Sequence, residues 1–256
     1  MSQTAIFPDL KDASVFITGG GSGIGAALTD GFLAQGAKVG FVQRSDASDF
    51  VSDMEQKHGA KPLFIPCDIT DIKALKAAVD QASAAHGPVT VLVNNAANDK
   101  RHDTLETTEE FYDWSTAINL KAYFFAVQAA VPHMQKAGGG SIVNFSSISY
   151  MMGNAGYPIY ASSNAGITGM TRAHAREFGP DKIRVNALMP GWVMTDKQKE
   201  LWVTPEALAG QLDRQCLKET LDPEDIVGGT LFLASNASRM MTGQAMVIDG
   251  GVVTTG

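Results

Sequence analysis

The 256 residues carry 27 Asp and Glu against 20 Lys and Arg, a net charge of −7 that excludes the basic stripe of a nucleic-acid surface. Hydrophobic residues make up 45% and charged residues 18%, the balance of a packed domain, and no apolar run reaches the ~18–20 residues of a membrane span. Cys67 and Cys216 stand far apart and the five histidines show no ligand spacing, so neither a disulfide framework nor a metal site is expected. The opening MSQTAIFPDLKD lacks a basic segment followed by an apolar one. The expectation is therefore a cytoplasmic chain without a signal peptide.

In chain order, SVFITG (14–19) reads as the first strand and 23–35 as the helix after it. The turn between them, ITGGGSGIGAAL, places Gly19, Gly21, Ser22, Gly23, Ile24 and Gly25 where backbone N–H groups can approach a pyrophosphate at a helix N-terminus. AKVGFV (37–42) is the second strand, followed by Gln43 and Arg44. A carboxylate there would hold the ribose 2′-hydroxyl of NAD. A neutral residue followed by arginine instead favours the 2′-phosphate of NADP, with adenine stacking or solvation as the other uses of Arg44.

A helix over 46–58 leads to the strand KPLFIP (61–66), then to Asp68 and Ile69 in PCDIT. Asp68 is placed to accept from an adenine amino group or to cap the helix over 71–86. VTVLVNN (89–95) runs into Asn95 and Ala96, and a long helical pattern over 107–137 contains Asn119. GSIVNFS (140–146) ends beside Ser147 and Ser149. The helix over 157–178 carries Tyr160 and Asn164 four residues apart on one face. KIRVNAL (182–188) precedes Pro190, Gly191, Trp192, Val193 and Thr195. A helix over 222–234 and the strand AMVID (245–249) close the chain. Residues 192–216 exceed a normal connection and have helical character, which suits a lid over a site or a surface helical hairpin.

The strands are near-continuously apolar rather than alternating, as when helices cover both faces of a parallel sheet. The expected fold is a single α/β domain over 1–256. It is a Rossmann-like, doubly wound parallel sheet of about seven strands with helices on both faces.

TGGGSGIG (18–25), CDI (67–69), NNAA (94–97), IN (118–119), the pair ending at Ser147, YASSN (160–164) and PGWVMT (190–195) resemble the short-chain dehydrogenase/reductase family over nearly the whole chain. The resemblance implies metal-free hydride transfer with NAD or NADP. It maps the family's Asn, Ser, Tyr and Lys onto Asn119, Ser147, Tyr160 and Asn164, so the fourth position fails to match. Free tyrosine titrates near 10, and a lysine one turn away would favour the phenolate. An asparagine there can bond a ribose hydroxyl but carries no charge. Asn164 therefore reads as a crippling change, natural or introduced, and a dinucleotide-binding protein without catalysis stays open.

NNAANDKRHD (94–103) and KQKELWVTPEALAGQLDRQCLK (197–218) are similar to the branch of bacterial aldose 1-dehydrogenases. That likeness implies oxidation of a cyclic sugar at its anomeric carbon to a lactone, and a homotetramer ending in the apolar last strand. Asn98, Arg101, His102, Ser147, Ser149, Tyr160 and Trp192 become the expected substrate contacts. Lys197, Lys199 and Arg101 would also attract an acid-bearing sugar. A 3-oxoacyl or small-ketone reductase is the other enzymatic expectation, given apolar surface at Trp192, Trp202 and SYMMG (149–153).

Overall fold

Successive residues of a strand face opposite sides, and in this chain both sides are apolar. Val15 and Ile17 point into one core while Phe16 points into the other, and Val143 and Phe145 oppose Ile142 in the same way. The strands can therefore be covered on both faces, and they are. The computed structural model describes residues 5–254; the first four and last two residues of the expected 1–256 domain lie outside the described residues.

The strands are β1 (Ser14–Thr18), β2 (Lys38–Gln43), β3 (Leu63–Pro66), β4 (Val91–Asn94), β5 (Gly140–Phe145), β6 (Ile183–Pro190) and β7 (Ala245–Ile248). All pair in parallel, in the order β3-β2-β1-β4-β5-β6-β7. The helices are α1 (Gly23–Ala34), α2 (Ser48–His58), α3 (Ile72–His86), α4 (Glu109–Thr116), α5 (Ala122–Ala137), a short α6 (Ser149–Met152), α7 (Pro158–Phe178), α8 (Asp196–Leu201), α9 (Pro205–Arg214) and α10 (Pro223–Ala234). One core holds Leu28 and Phe32 of α1 and Ile226 and Leu231 of α10; the other holds Leu75 and Val79 of α3 and Val127 and Val131 of α5. This is the doubly wound arrangement the apolar strands imply. No helix among the described residues is long and apolar enough to cross a membrane.

One expected element divides. The single helix over 107–137 is α4, then a π-helical turn over Ala117–Lys121, then α5. Apolar spacing cannot register such a turn, because one extra residue barely disturbs the pattern of buried positions. Segment 192–216 folds as α8 and α9, each with a threonine N-cap, Thr195 and Thr204. Its ends are drawn together below it by a parallel bridge of Val193 with Leu221.

The sheet positions the site through a buried polar chain. Asn94 Nδ2, on the last residue of β4, donates to Asn144 Oδ1 at 2.9 Å, and Asn144 Nδ2 donates to Thr171 Oγ1 of α7 at 3.0 Å. None of the three is more than 1% exposed. This chain fixes α7 against the ends of β4 and β5. Replacing Asn144→Ala leaves two buried groups without a partner, at about 1–3 kcal/mol each. The expected loss is about 2–4 kcal/mol in urea unfolding. A loss under about 0.5 kcal/mol would show that the chain does not hold α7.

Candidate active site

In this strand order the chain reverses direction between β1 and β4, opening a crevice beyond their carboxyl ends where doubly wound sheets bind ligands. A cavity of about 960 Å³ occupies the crevice and extends under α8 and α9.

The β1–α1 turn forms one wall. Gly25 meets the turn so closely that a Cβ there would stand 1.7 Å from the Gly19 carbonyl oxygen, and Gly19 itself holds φ +71°. The turn is fastened from behind. Asn95 Nδ2 donates to the carbonyls of Thr18 and Gly19, both at 3.1 Å, and Thr18 Oγ1 accepts from the N–H groups of Asn95 and Ala96. Asn95 is thus committed to the turn rather than free for a ligand. Ser22 opens α1 without a side-chain cap, whereas Asp71, Thr108, Thr195 and Thr204 cap their helices. First-turn N–H groups of α1 are therefore left to the cavity, a fit to the pyrophosphate of a dinucleotide.

Gln43 Oε1 accepts from the Gly21 N–H at 3.1 Å, which places Gly21 behind the glutamine and off the cavity wall. Arg44 and Asp68 lie at the rim 3.7 Å apart, both well exposed. Asp68 Oδ1 accepts from the N–H and hydroxyl of Thr70, so it caps a turn, while Asp71 is the N-cap of α3. Ile69, Ala96, Ser22, Gly23 and Ile24 complete this half, and Pro190, Gly191, Val193 and Thr195 face it from the end of β6.

Tyr160 and Ser147 stand together on the opposite wall. The two serines ending β5 divide their work: Ser146 donates to the Asn164 carbonyl at 2.9 Å and ties strand to helix, while Ser147 faces the cavity. The Tyr160 phenol is pushed up to about 12, first by burial and then by the Asp99 carboxylate; the Ser147 hydroxyl and the Asn164 amide pull the other way. Asn164 is 3% exposed, and its Nδ2 donates back to the Tyr160 carbonyl at 2.9 Å. The asparagine is folded onto its own helix.

Besides Gly21, two expected site residues stand outside the cavity for identifiable reasons. Asn119, on the π turn, takes the Asn98 N–H on Oδ1 at 2.8 Å and gives Nδ2 to the Asn98 carbonyl at 2.9 Å. His102 accepts from the Ile159 N–H at 3.3 Å on Nε2, while its Nδ1 faces the Lys100 carbonyl at 3.1 Å, so the ring carries its proton on Nδ1 and pins the start of α7. His102 is therefore corrected from substrate contact to loop fastening.

Asn98, Arg101, Ser149 and Trp192 do line the cavity. Arg101 stacks over the Tyr157 ring at 3.8 Å and faces Trp202 at 5.2 Å. Of the expected cationic cluster, Lys197 is paired with Asp99 and Lys199 lies off the wall. Trp202, expected as apolar surface, is on the wall, together with Asp99, Tyr123, Tyr157 and Gln198, which the sequence does not single out. Asp99 lies within the NNAANDKRHD stretch, but its partners are about a hundred residues away. Ser149 Oγ, Tyr123 Oη and Trp202 Nε1 are buried without a hydrogen-bond partner in the protein, the state of groups that await a ligand or water.

Known proteins resemble this chain over nearly its whole length. A family model described as enoyl-(acyl carrier protein) reductase matches residues 19–253. A probable galactose dehydrogenase of Rhizobium meliloti is 50% identical over 96% of this chain and 97% of its own length. The D-xylose 1-dehydrogenase of Caulobacter vibrioides is 44% identical over 97% of this chain and 99% of its own. The crystal structure of a blue fluorescent protein from a metagenomic library, in complex with NADPH, superposes with a TM-score of 0.86 at 34% identity, covering 96% of this chain and 99% of that one.

The turn geometry sets a direct test. Gly25→Ala forces α1 away from β1, and the expected result is loss of the NADPH fluorescence change on binding, by more than about tenfold in affinity, in a chain that still folds. Unchanged binding would separate the turn from the nucleotide.

Proposed function

The chain belongs to the short-chain dehydrogenase/reductase family, which binds NAD(P), and we propose that it oxidises an aldose sugar at the anomeric carbon to the lactone. The observation that carries this reading is the set of unpaired polar groups on one wall. Ser149 Oγ and Trp202 Nε1 are buried without partners on the wall that also holds Ser147 and Tyr160. A site built to bond hydroxyls leaves such groups waiting, and a sugar supplies hydroxyls. The sugar dehydrogenases among the relatives support the same substrate class. A 3-oxoacyl substrate asks for an apolar channel, whereas Asp99, Asn154 and Gln211 line this one.

Tyr160 is the base that takes the anomeric hydroxyl proton, and Ser147 holds the same oxygen in place. The bound nicotinamide supplies the hydride acceptor. The glycine turn, fastened from behind by Asn95, holds the pyrophosphate end, and Asn119 acts through the backbone of Asn98. Residues 192–216 are the lid. Arg44 favours NADP: its pairing with Asp68 is exposed and worth about 0–1 kcal/mol, so a 2′-phosphate can redirect it. The assembly is a homotetramer in this reading, for which exposed Phe124 on α5 offers an apolar contact.

Asn164 sets the rate. With the phenol at about 12, the phenolate fraction at pH 7 is on the order of one in 10⁵. Oxidation needs that phenolate, so the rate rises about tenfold per pH unit below the titration point. The same facts support a second reading, a dinucleotide-binding protein with negligible turnover.

Sugar-dependent NAD(P)H formation against pH tests both. Asn164→Lys places a cation one turn from Tyr160 and lowers its pKa by roughly 1–3 units. The expected gain at pH 7 is roughly 10- to 1000-fold, abolished by Tyr160→Phe. Equal rates in the two forms would refute the role given to Asn164. Turnover in neither, with NADPH bound by both, selects the second reading. For the cofactor, Arg44→Ala is expected to weaken NADP⁺ about 10- to 100-fold and leave NAD⁺ within about twofold, measured by equilibrium titration.

A further inference from the structure

Asp99 is the one carboxylate of the cavity that both reaches segment 192–216 and bears on Tyr160. It stands in a loop without regular secondary structure, yet the loop is fastened on both sides. Asn98 is held by Asn119, and His102 donates its N–H to the Gly156 carbonyl at 2.8 Å while its ring accepts from Ile159. Asp99 is therefore a fixed point.

The other partner of Asp99 is α8. Gln198 Nε2 donates to Asp99 Oδ2 at 2.8 Å, and Lys197 Nζ lies 3.1 Å from Oδ1. Gln198 is in turn oriented by Trp192 Nε1, which donates to its Oε1 at 2.8 Å. Within segment 192–216 the hydrogen bonds that cross to the 98–102 loop all end on this carboxylate. Its own pKa reflects that seat. Burial pushes it up, and the Gln198 amide and the Lys197 ammonium more than reverse the shift, holding it below the usual carboxylate range.

We propose that Asp99 is a positioning residue that docks α8 over the site and couples that docking to the ease with which Tyr160 releases its proton. The coupling is electrostatic. With α8 seated, the Lys197 ammonium offsets part of the Asp99 charge that raises the phenol. With α8 lifted, Asp99 stands bare beside Tyr160 and opposes formation of a second negative charge.

The other groups around Tyr160 do not provide this link. Tyr157 meets its ring edge-on at 5.7 Å, Tyr123 of α5 is a buried neutral phenol, and Ser147 and Asn164 are neutral donors. Arg101 is stacked on Tyr157 and Trp202, and Glu206 and Arg214 of α9 line the cavity with both signs of charge. Only Lys197 pairs with Asp99 and rides on the segment.

The inference rests on the role given to Tyr160 above, and two readouts test it without turnover. The first is hydrogen exchange of residues 196–201 in the chain as it stands and in Asp99→Asn and Lys197→Met. Both variants are expected to exchange several-fold faster there, because each removes a bond to the loop. The second is the pH titration of Tyr160, followed by NMR of ¹³C-tyrosine in the Asn164→Lys form and assigned with Tyr160→Phe. Asp99→Asn is expected to move the titration to lower pH and Lys197→Met to higher pH, each by roughly half a unit or more.

Opposite signs are the signature, since a merely structural anchor would shift both variants together or neither. Shifts of the same sign, no shifts, or undisturbed exchange in both variants would overturn the proposal. A chain that shows these shifts but oxidises no sugar would overturn the functional reading alone.

Discussion

The side-chain amide of Asn119 meets the backbone of Asn98 as one strand meets another, accepting from its N–H and donating to its carbonyl. That pair of bonds is what makes an irregular loop behave as a wall. A connection leaving β4 would otherwise carry unsatisfied backbone groups into a cavity, at a cost of about 1–3 kcal/mol each. Asn119 reaches Asn98 from a π turn, where the helix takes one residue more per turn than an α-helix and its side chains are re-aimed. The loop then runs to His102, whose ring accepts from the Ile159 N–H in the first turn of α7. Helix, loop and helix become one rigid frame, and Asp99 and Arg101 take their places from it.

Under that frame the sheet supplies a second rigid layer. Asn94, Asn144 and Thr171 are buried polar groups, and the two hydrogen bonds that join them offset part of the cost of burying them. Ser146 adds a bond from the end of β5 to the carbonyl of Asn164. Tyr160 is thus held on a helix with little freedom to move relative to the strands. Segment 192–216 is held differently. It is joined to the body by the Val193–Leu221 bridge and by Cys216, whose Sγ donates to the Gly251 carbonyl, and it reaches the loop through the Asp99 cluster and the Arg101–Trp202 contact. A rigid base with a lightly fastened cover is the mechanical arrangement that lid motions use.

Much of this was legible because it is local. Apolar runs named all seven strands, and the TGGGSGIG turn needs its glycines for contacts made within a dozen residues, as the approach of Gly25 to Gly19 displays. What escaped depends on where a side chain points after folding. The π turn hides inside a continuous helical pattern over 107–137. His102 has the chemistry of a substrate contact, yet its ring is spent on α7. Gly21 belongs to the motif, yet Gln43 comes between it and the cavity. Asp99 carried no signal at all in one dimension, since Lys197 and Gln198 are about a hundred positions away.

The same distinction governs Asn164. The resemblance to the family implies a lysine one turn from Tyr160, where this sequence has Asn164. The structure adds what fills the gap: the shorter amide bonds back to the Tyr160 carbonyl, so the site loses both the charge and the reach of a longer side chain. The phenol is left with burial and an anion raising its pKa, and two neutral donors opposing them. Neutral donors stabilise a phenolate less than an ammonium does, because charge-assisted bonds are about twice as strong. Lys197 acts on the phenol through Asp99, whose charge it partly offsets. The electrostatic burden that a cation on α7 would carry has thus moved, in this chain, onto the contact between Asp99 and α8. In the proposal, proton release by Tyr160 responds to whether that segment is seated, which links a helix fixed to the sheet with the segment that covers it.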